Sequence, residues 1–89
     1  MDWDKLKIFH TVAEAGSFTK ASTILNLSQS AISRQIQSLE NDLKIHLFER
    51  HARGLVLTNN GEYLFKTAHD VISKLKDVET TLGDEKDKL

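Results

Sequence analysis

The feature that most restricts the fold of this chain is a heptad pattern in its last third. Six apolar residues recur there at spacings of four, three, four, three and four. Such spacing places them on one stripe of an α-helix and is typical of helices that pair along their length. Thr58 is a suitable N-cap, so we predict a helix from about residue 59 to Leu82, with a frayed tail from Gly83. The stripe consists of Leu64, Ala68, Val71, Leu75, Val78 and Leu82.

This helix is too long for its own domain to cover. Roughly 25 residues span about 37 Å, whereas a chain of 89 residues can build only one modest core. We expect Tyr63, Leu64 and Phe65 to join that core and the rest of the stripe to pair with a second copy of the chain. Packing of the whole stripe on its own domain is the alternative.

Three shorter helices are predicted before it. The first covers residues 3–15 and ends at Gly16, and the second runs from about residue 18 to 25. The third, about residues 28–43, begins at the capping residue Ser28. The close connection between the second and third helices predicts a helix-turn-helix, with the third helix as its recognition helix. The apolar stripe of that helix is Ile32, Ile36, Leu39 and Leu43.

A β-hairpin wing is predicted at about residues 47–57. Two short strand-like runs there flank Gly54, which can adopt the positive φ that a tight hairpin requires. Runs this short are ambiguous between strand and helix. The chain is therefore predicted to be mainly α: a winged helix-turn-helix of three helices and a small hairpin over residues 1–58, then a linker helix for dimerisation over 59–89.

The polar face of the third helix carries the most informative functional pattern. Residues 28–39 contain neither Glu nor Lys, which ordinary exposed helix faces favour. Arg can bind guanine through two hydrogen bonds, and Gln can bind adenine in the same way. Because a recognition helix enters the major groove with its first turns leading, this face predicts base reading, with a solvated helix face as the alternative. Its residues are Ser28, Gln29, Ser30, Ser33, Arg34 and Gln37.

Two arginines, Arg50 and Arg53, flank the tip of the predicted wing together with His51. On their own such residues usually serve solubility. Beside a helix-turn-helix we expect them to contact phosphates or the minor groove, Arg53 more than Arg50.

Composition excludes several other classes. The net charge of −1 does not itself favour binding to nucleic acid. In residues 17–39, however, the only charged residues are Lys20 and Arg34, so this segment is positively charged. There is no cysteine, no apolar run long enough for a membrane helix and no signal peptide, so we expect a cytoplasmic protein that does not bind membranes. We predict no enzyme, cofactor or metal site. The four histidines, at positions 10, 46, 51 and 69, lack metal-ligand spacing and are expected at the surface or its boundary.

An ordered string of residues over about positions 4–65 matches a known family. It consists of Leu6-x-x-Phe9, Ala15-Gly16-Ser17-Phe18-Thr19-Lys20-Ala21, Leu25-x-x-Ser28 with Gln29 to Ile36, Leu39-Glu40-x-x-Leu43, Leu47-Phe48-x-Arg50 and Leu57-Thr58-x-x-Gly61. In these residues the chain resembles the LysR-type family of bacterial transcription regulators. Three departures are visible, of which Asn60, in a position that the family often gives to a small residue, is expected to be harmless. Ser22 stands where alanine is usual, which should still let the helices approach, and Lys44 replaces a glycine, so the end of the recognition helix is expected to differ.

The resemblance implies a site and partners. In the family, residues matching Gln29, Ser30, Ser33 and Arg34 contact DNA from the recognition helix and the residue matching Arg53 contacts it from the wing, with Thr19 and Ser28 near phosphates. It implies a homodimer with antiparallel linker helices on double-stranded, inverted-repeat operator DNA, and leaves higher oligomers of the intact protein open. Small-molecule effectors would act through a domain absent from these 89 residues. We expect these residues to be a fragment of a longer regulator, with a natural short regulator as the alternative.

Two further interpretations remain. One is a winged helix of another regulator family. The other is a protein-interaction module that reuses the fold without DNA, against which Arg34 and the hydroxyl-rich start of the recognition helix argue.

Overall fold

The structure is a computed structural model that describes residues 1–52 and 54–87, with side chains described up to residue 83. The element order is three helices, a two-stranded hairpin and a long fourth helix. In the described part of the chain, no helix is long and apolar enough to span a bilayer.

The first helix, α1, covers Trp3–Ala15, as predicted. The carboxylate of Asp2 caps it by accepting hydrogen bonds from the backbone N–H groups of Asp4 at 2.8 Å and Lys5 at 3.4 Å. Gly16 ends it in the left-handed conformation, with φ 75°, and its N–H reaches the carbonyl of Val12.

The helix-turn-helix consists of α2, Phe18–Leu25, and α3, Gln29–Leu43. The hydroxyls of Ser17 and Ser28 cap the two helices by accepting from the third backbone N–H that follows each. The turn between them is held at Ser22, whose carbonyl accepts from the N–H of Leu27 and whose hydroxyl donates to the Leu27 carbonyl. Serine at this position therefore adds a hydrogen bond that alanine cannot make.

The recognition helix ends where a glycine would have ended it. Lys44 takes the left-handed conformation, with φ 58° and ψ 38°, and its N–H bonds the carbonyl of Glu40. The expectation of a different helix end was therefore wrong. The lysine bears the steric cost of this conformation, about 1 kcal/mol, without moving the helix end.

The predicted wing is confirmed. Strands β1, Phe48–His51, and β2, Gly54–Leu57, pair antiparallel with Phe48 opposite Leu57 and His51 opposite Gly54. Gly54 has φ 124°, a conformation that favours glycine.

The fourth helix, α4, covers Asn59–Asp87 and passes through Gly83. The predicted end at about Leu82 was therefore wrong, and the fraying of the tail from Gly83 stays a prediction. One glycine inside a helix costs only about 1 kcal/mol relative to alanine. Gly83 also lacks the positive φ of a glycine that terminates a helix.

The core lies where α1, α2 and α3 meet the start of the wing. Its largest fully buried side chains are Phe9, Val12, Ile32, Leu39 and Leu47, and α4 closes one side with half-buried Leu64 and Phe65. The prediction that Tyr63 joins this core was wrong, because its side chain is 79% exposed. Tyr63 points about 100° around the helix from Leu64 and about 200° from Phe65, so it faces away from the core when those two residues face it.

The long helix can approach the wing only because position 61 is glycine. A Cβ on Gly61 would collide with the backbone carbonyl of Leu47, the residue that precedes β1. The hydroxyl of Thr58 caps this first turn by accepting from the N–H of Gly61 at 3.0 Å and also donates to the carbonyl of His46 at 2.6 Å. The start of α4 and the base of the wing are thus one packed unit.

Candidate nucleic-acid interface

The recognition helix buries one face and exposes the predicted reading face. Ile32, Ile36 and Leu39 are buried, whereas the predicted polar residues lie on the outside. Gln29, Ser30, Arg34 and Gln37 are exposed, Ser28 is exposed at the cap, and Ser33 is half-buried.

Arg34 is available to a partner. No acidic side chain in the described part of the chain forms an ion pair with its guanidinium. Ser30 lies one turn before Arg34 and Gln37 one turn after it, so the three share a stripe of the helix surface. A guanidinium between a hydroxyl and an amide can donate to two acceptors on one base edge.

The starts of α2 and α3 lie side by side. The side-chain amide of Gln29 donates to the hydroxyl of Thr19 at 3.3 Å. The structure thus brings together Thr19, Ser28 and Gln29 at the N-terminal end of the recognition helix, where backbone N–H groups and the helix dipole favour a phosphate.

The wing supplies Arg50 to the same side of the molecule. Its guanidinium carbon lies 5.6 Å from the centre of the Phe18 ring, at the start of α2. A cavity of about 140 Å³ between α3 and the wing is lined by Ser33, Gln37 and Arg50, together with Glu40, His46 and apolar side chains. Arg53 lies outside the described residues, so its predicted contact stays a prediction.

Glu40 is a positioning residue that sequence reasoning missed. Its carboxylate accepts a 2.7 Å hydrogen bond from the backbone N–H of Leu47 and so ties the last turns of α3 to the wing. A signal was present, because an acidic residue near the C-terminal end of a helix opposes the helix dipole and needs another reason to be there.

The structure divides the six residues of the predicted dimer stripe. Ala68 is fully buried within its own chain and Leu64 is half-buried against the core. The prediction that Ala68 contacts a partner was therefore wrong, since α4 lies against α1 at this level and leaves the methyl group no free surface. Val71, Leu75, Val78 and Leu82 are 40, 46, 52 and 58% exposed, so the stripe emerges progressively from the domain.

The prediction of a surface or boundary position was wrong for His10, whereas His69 is exposed as predicted. His10 on α1 is buried, stacks on the ring of Phe65 at 5.1 Å and lies with its Nε2 3.0 Å from Nδ1 of His69 on α4. Glu14, one turn after His10, brings a carboxylate oxygen within 3.5 Å of the same Nε2. Burial lowers the pKa of His10, against the opposing effect of Glu14. Sequence spacing could not show this cluster, because its histidines are 59 residues apart.

These elements define the class of the protein. A helix-turn-helix whose second helix is followed by a short antiparallel hairpin is a winged helix-turn-helix. The polar stripe of α3 and Arg50 of the wing form its candidate interface.

Comparison with known proteins places this fold in a family. Residues 3–62 match the family described as bacterial regulatory helix-turn-helix protein, lysR family. The chain is 46% identical over 79 residues to the HTH-type transcriptional regulator YofA of Bacillus subtilis (strain 168), covering 89% of this chain and 28% of YofA. It is 37% identical over 84 residues to the regulator GltR of the same organism, covering 94% of this chain and 28% of GltR.

Solved structures agree. The DNA-binding domain of BenM in complex with benA site 1 DNA superposes with a TM-score of 0.84 at 34% identity, over 94% of this chain and 98% of that one. The LysR family regulator CbnR superposes with a TM-score of 0.78 at 38% identity, over 96% of this chain and 28% of CbnR. The chain belongs to the LysR family of bacterial helix-turn-helix regulators, which is not a family of enzymes. It spans 28% of the length of the two curated relatives above.

Proposed function

We propose that this chain is the sequence-specific DNA-binding part of a bacterial transcription regulator. The observation that carries the proposal is the exposed stripe of Ser30, Arg34 and Gln37 on α3. In the described part of the chain, Arg34 forms no ion pair with an acidic side chain. In a helix-turn-helix, α3 is the helix that enters the major groove. Support comes from BenM, whose DNA-binding domain has the same fold in its DNA complex.

Within this proposal the groups have distinct tasks. Arg34 binds a guanine through two hydrogen bonds, and Gln29 and Gln37 contact neighbouring base edges, with Ser30 and Ser33 beside them. Thr19, Ser28 and the first N–H groups of α3 bind phosphate and set the register. Arg50 and Arg53 contact the backbone or the minor groove from the wing.

We further propose a homodimer that reads an inverted repeat. Four apolar side chains of α4 are between 40 and 58% exposed and follow one another along a single stripe, and soluble monomers rarely leave such a stripe uncovered. A two-fold axis through this stripe covers it with its own copy and fixes the separation of the two recognition helices. The stripe consists of Val71, Leu75, Val78 and Leu82.

We also propose the partners and the location of the whole protein, with support from its family. The regulator acts on double-stranded DNA and hence in the bacterial cytoplasm. Any response to a small-molecule effector belongs to a region outside these 89 residues, since the regulators YofA and GltR are more than three times as long.

Selection of bound sequences from random duplex DNA by the purified chain tests the proposal. Enrichment of a two-fold symmetric motif is the expected result, and its half-site spacing should be close to one helical turn or a multiple of it. Enrichment of a single half-site would contradict the dimer while preserving base reading. No enrichment at low salt would contradict sequence-specific DNA binding and favour a protein-interaction module.

A further inference from the structure

The cluster of His10, Glu14 and His69 has the geometry of a metal site. Nε2 of His10 lies 3.0 Å from Nδ1 of His69 and 3.5 Å from a carboxylate oxygen of Glu14, and that oxygen lies 3.9 Å from Nδ1 of His69. Ligand atoms of a tetrahedral zinc ion, at bond lengths of about 2.0–2.1 Å, are separated by roughly 3.3 Å. The three measured separations bracket that value, so small side-chain rotations would bring all three atoms onto one ion.

We propose that His10, Glu14 and His69 bind a divalent transition-metal ion, with Zn²⁺ as the preferred ion. Two imidazole nitrogens and one carboxylate oxygen are a donor set that zinc accepts, whereas Mg²⁺ and Ca²⁺ prefer oxygen ligands throughout. Three protein ligands leave the fourth tetrahedral position for a water molecule.

The site is accessible from solvent on one side and anchored in the domain on the other. The side chains of His69 and Glu14 are 53 and 61% exposed, so an ion can enter from solvent, while that of His10 is 11% exposed and fixes the inner end.

The charges around the site are mixed. The positive charge of Lys76 on α4 disfavours a cation at the site. Lys76 lines a groove of about 630 Å³ beside the site, together with Lys7 and Asp4 of α1. The carboxylate of Glu14 brings negative charge directly to the ion, whereas Lys7 is paired with Asp4 at 3.7 Å.

Metal binding at this position would join two parts of the fold. His10 and Glu14 belong to α1 of the winged domain, and His69 belongs to α4 just beyond buried Ala68. An ion there connects α4 to α1 and limits the change of the angle between these two helices. His69 points about 200° around the helix from Val71, the first residue of the exposed dimer stripe, so the site lies clear of that stripe.

Calorimetric titration of the chelator-treated 89-residue chain with ZnCl₂ tests this proposal, with CoCl₂ as a spectroscopic probe. We expect one ion per chain, a higher thermal unfolding midpoint with Zn²⁺, and the intense visible absorption of four-coordinate Co²⁺. His69→Gln and Glu14→Gln should each weaken zinc binding at least tenfold. Both variants should fold, and the shift of the unfolding midpoint by Zn²⁺ is measured for each against the same variant without metal.

Glu49→Gln is the matched control. Glu49 lies 3.3 Å from His51 on the wing, which is also an exposed histidine and carboxylate pair but belongs to no described group of three ligands. This variant should bind zinc as the wild-type chain does. Failure of the wild-type chain to bind zinc stoichiometrically, or equal affinity of Glu14→Gln and wild type, would overturn the proposal.

Discussion

The carboxylate of Glu40 on the recognition helix accepts a 2.7 Å hydrogen bond from the backbone N–H of Leu47, the buried residue that leads into the wing. This bond connects the two elements that are proposed to contact DNA. Their relative position therefore depends on one side chain that is not itself proposed to touch DNA.

Glu40→Ala should lower the free energy of unfolding by about 1–3 kcal/mol, because it leaves the buried N–H of Leu47 without an acceptor. Glu40→Gln keeps an acceptor oxygen and should cost less than about 1 kcal/mol. Urea denaturation followed by circular dichroism measures both. Equal losses in the two variants would show that the charge of Glu40, and not the hydrogen bond, provides the stabilisation.

Gly61→Ala should destabilise the fold by about 1–3 kcal/mol, although alanine normally stabilises helices, because its methyl group meets the Leu47 carbonyl. Gly83→Ala in the same helix is the control. Among the described residues, no atom beyond the chain neighbours and local helix backbone of Gly83 lies within 4 Å of a Cβ at that position, so this change should stabilise by up to about 1 kcal/mol. The two variants should shift the thermal midpoint in opposite directions, and a shift of the same sign would contradict the packing of α4 on the wing.

Lys44→Gly should raise the free energy of unfolding by about 1 kcal/mol, since it removes the steric cost of a left-handed lysine. Asn26→Gly provides the comparison, because asparagine tolerates its φ of 55° better and the gain should be smaller. Chemical denaturation of both variants gives the values. A destabilised Lys44→Gly variant would mean that the lysine side chain contributes more than its backbone strain costs.

Arg34→Ala should weaken binding to the selected operator by about 1–3 kcal/mol and relax the preference at one base position per half-site. Arg34→Lys keeps the charge and loses the two-pronged geometry, so most of the specificity should be lost with it while binding to random DNA is retained. Fluorescence anisotropy on operator and random duplexes measures the difference. Equal losses on both duplexes in the alanine variant would show that Arg34 contacts only phosphate.

The double change Leu75→Asp with Val78→Asp should abolish the proposed dimer, because unpaired charges would be buried in the interface at a cost of several kcal/mol. Thr80→Asp is the matched control. It is exposed, and its side chain points about 200° away from that of Val78 around the helix. Sedimentation at micromolar concentration should show a dimer for wild type and Thr80→Asp. A monomeric wild type that still binds its symmetric operator tightly would contradict the dimer.

Helix starts and helix faces in this chain were readable from short-range pattern. Ser28 begins the recognition helix because a hydroxyl before an apolar periodic run can accept a backbone N–H three residues later, and both groups lie within one turn. The polar stripe around Arg34 is equally local, since the spacing of Ile32, Ile36 and Leu39 decides which face is buried. The family resemblance over about residues 4–65 and the candidate DNA-contacting residues likewise follow from short local motifs.

What the tertiary structure decided is how α4 lies on the domain. A heptad pattern does not say where the covered part of a stripe ends, and only the packing of α4 against α1 buries Ala68 while leaving Val71 exposed. The same packing joins His10 to His69 across 59 residues and sets Gly61 against Leu47. Such contacts are invisible in sequence spacing, because they depend on the relative position of elements that are distant along the chain, whereas caps and stripes depend on neighbours within one or two turns.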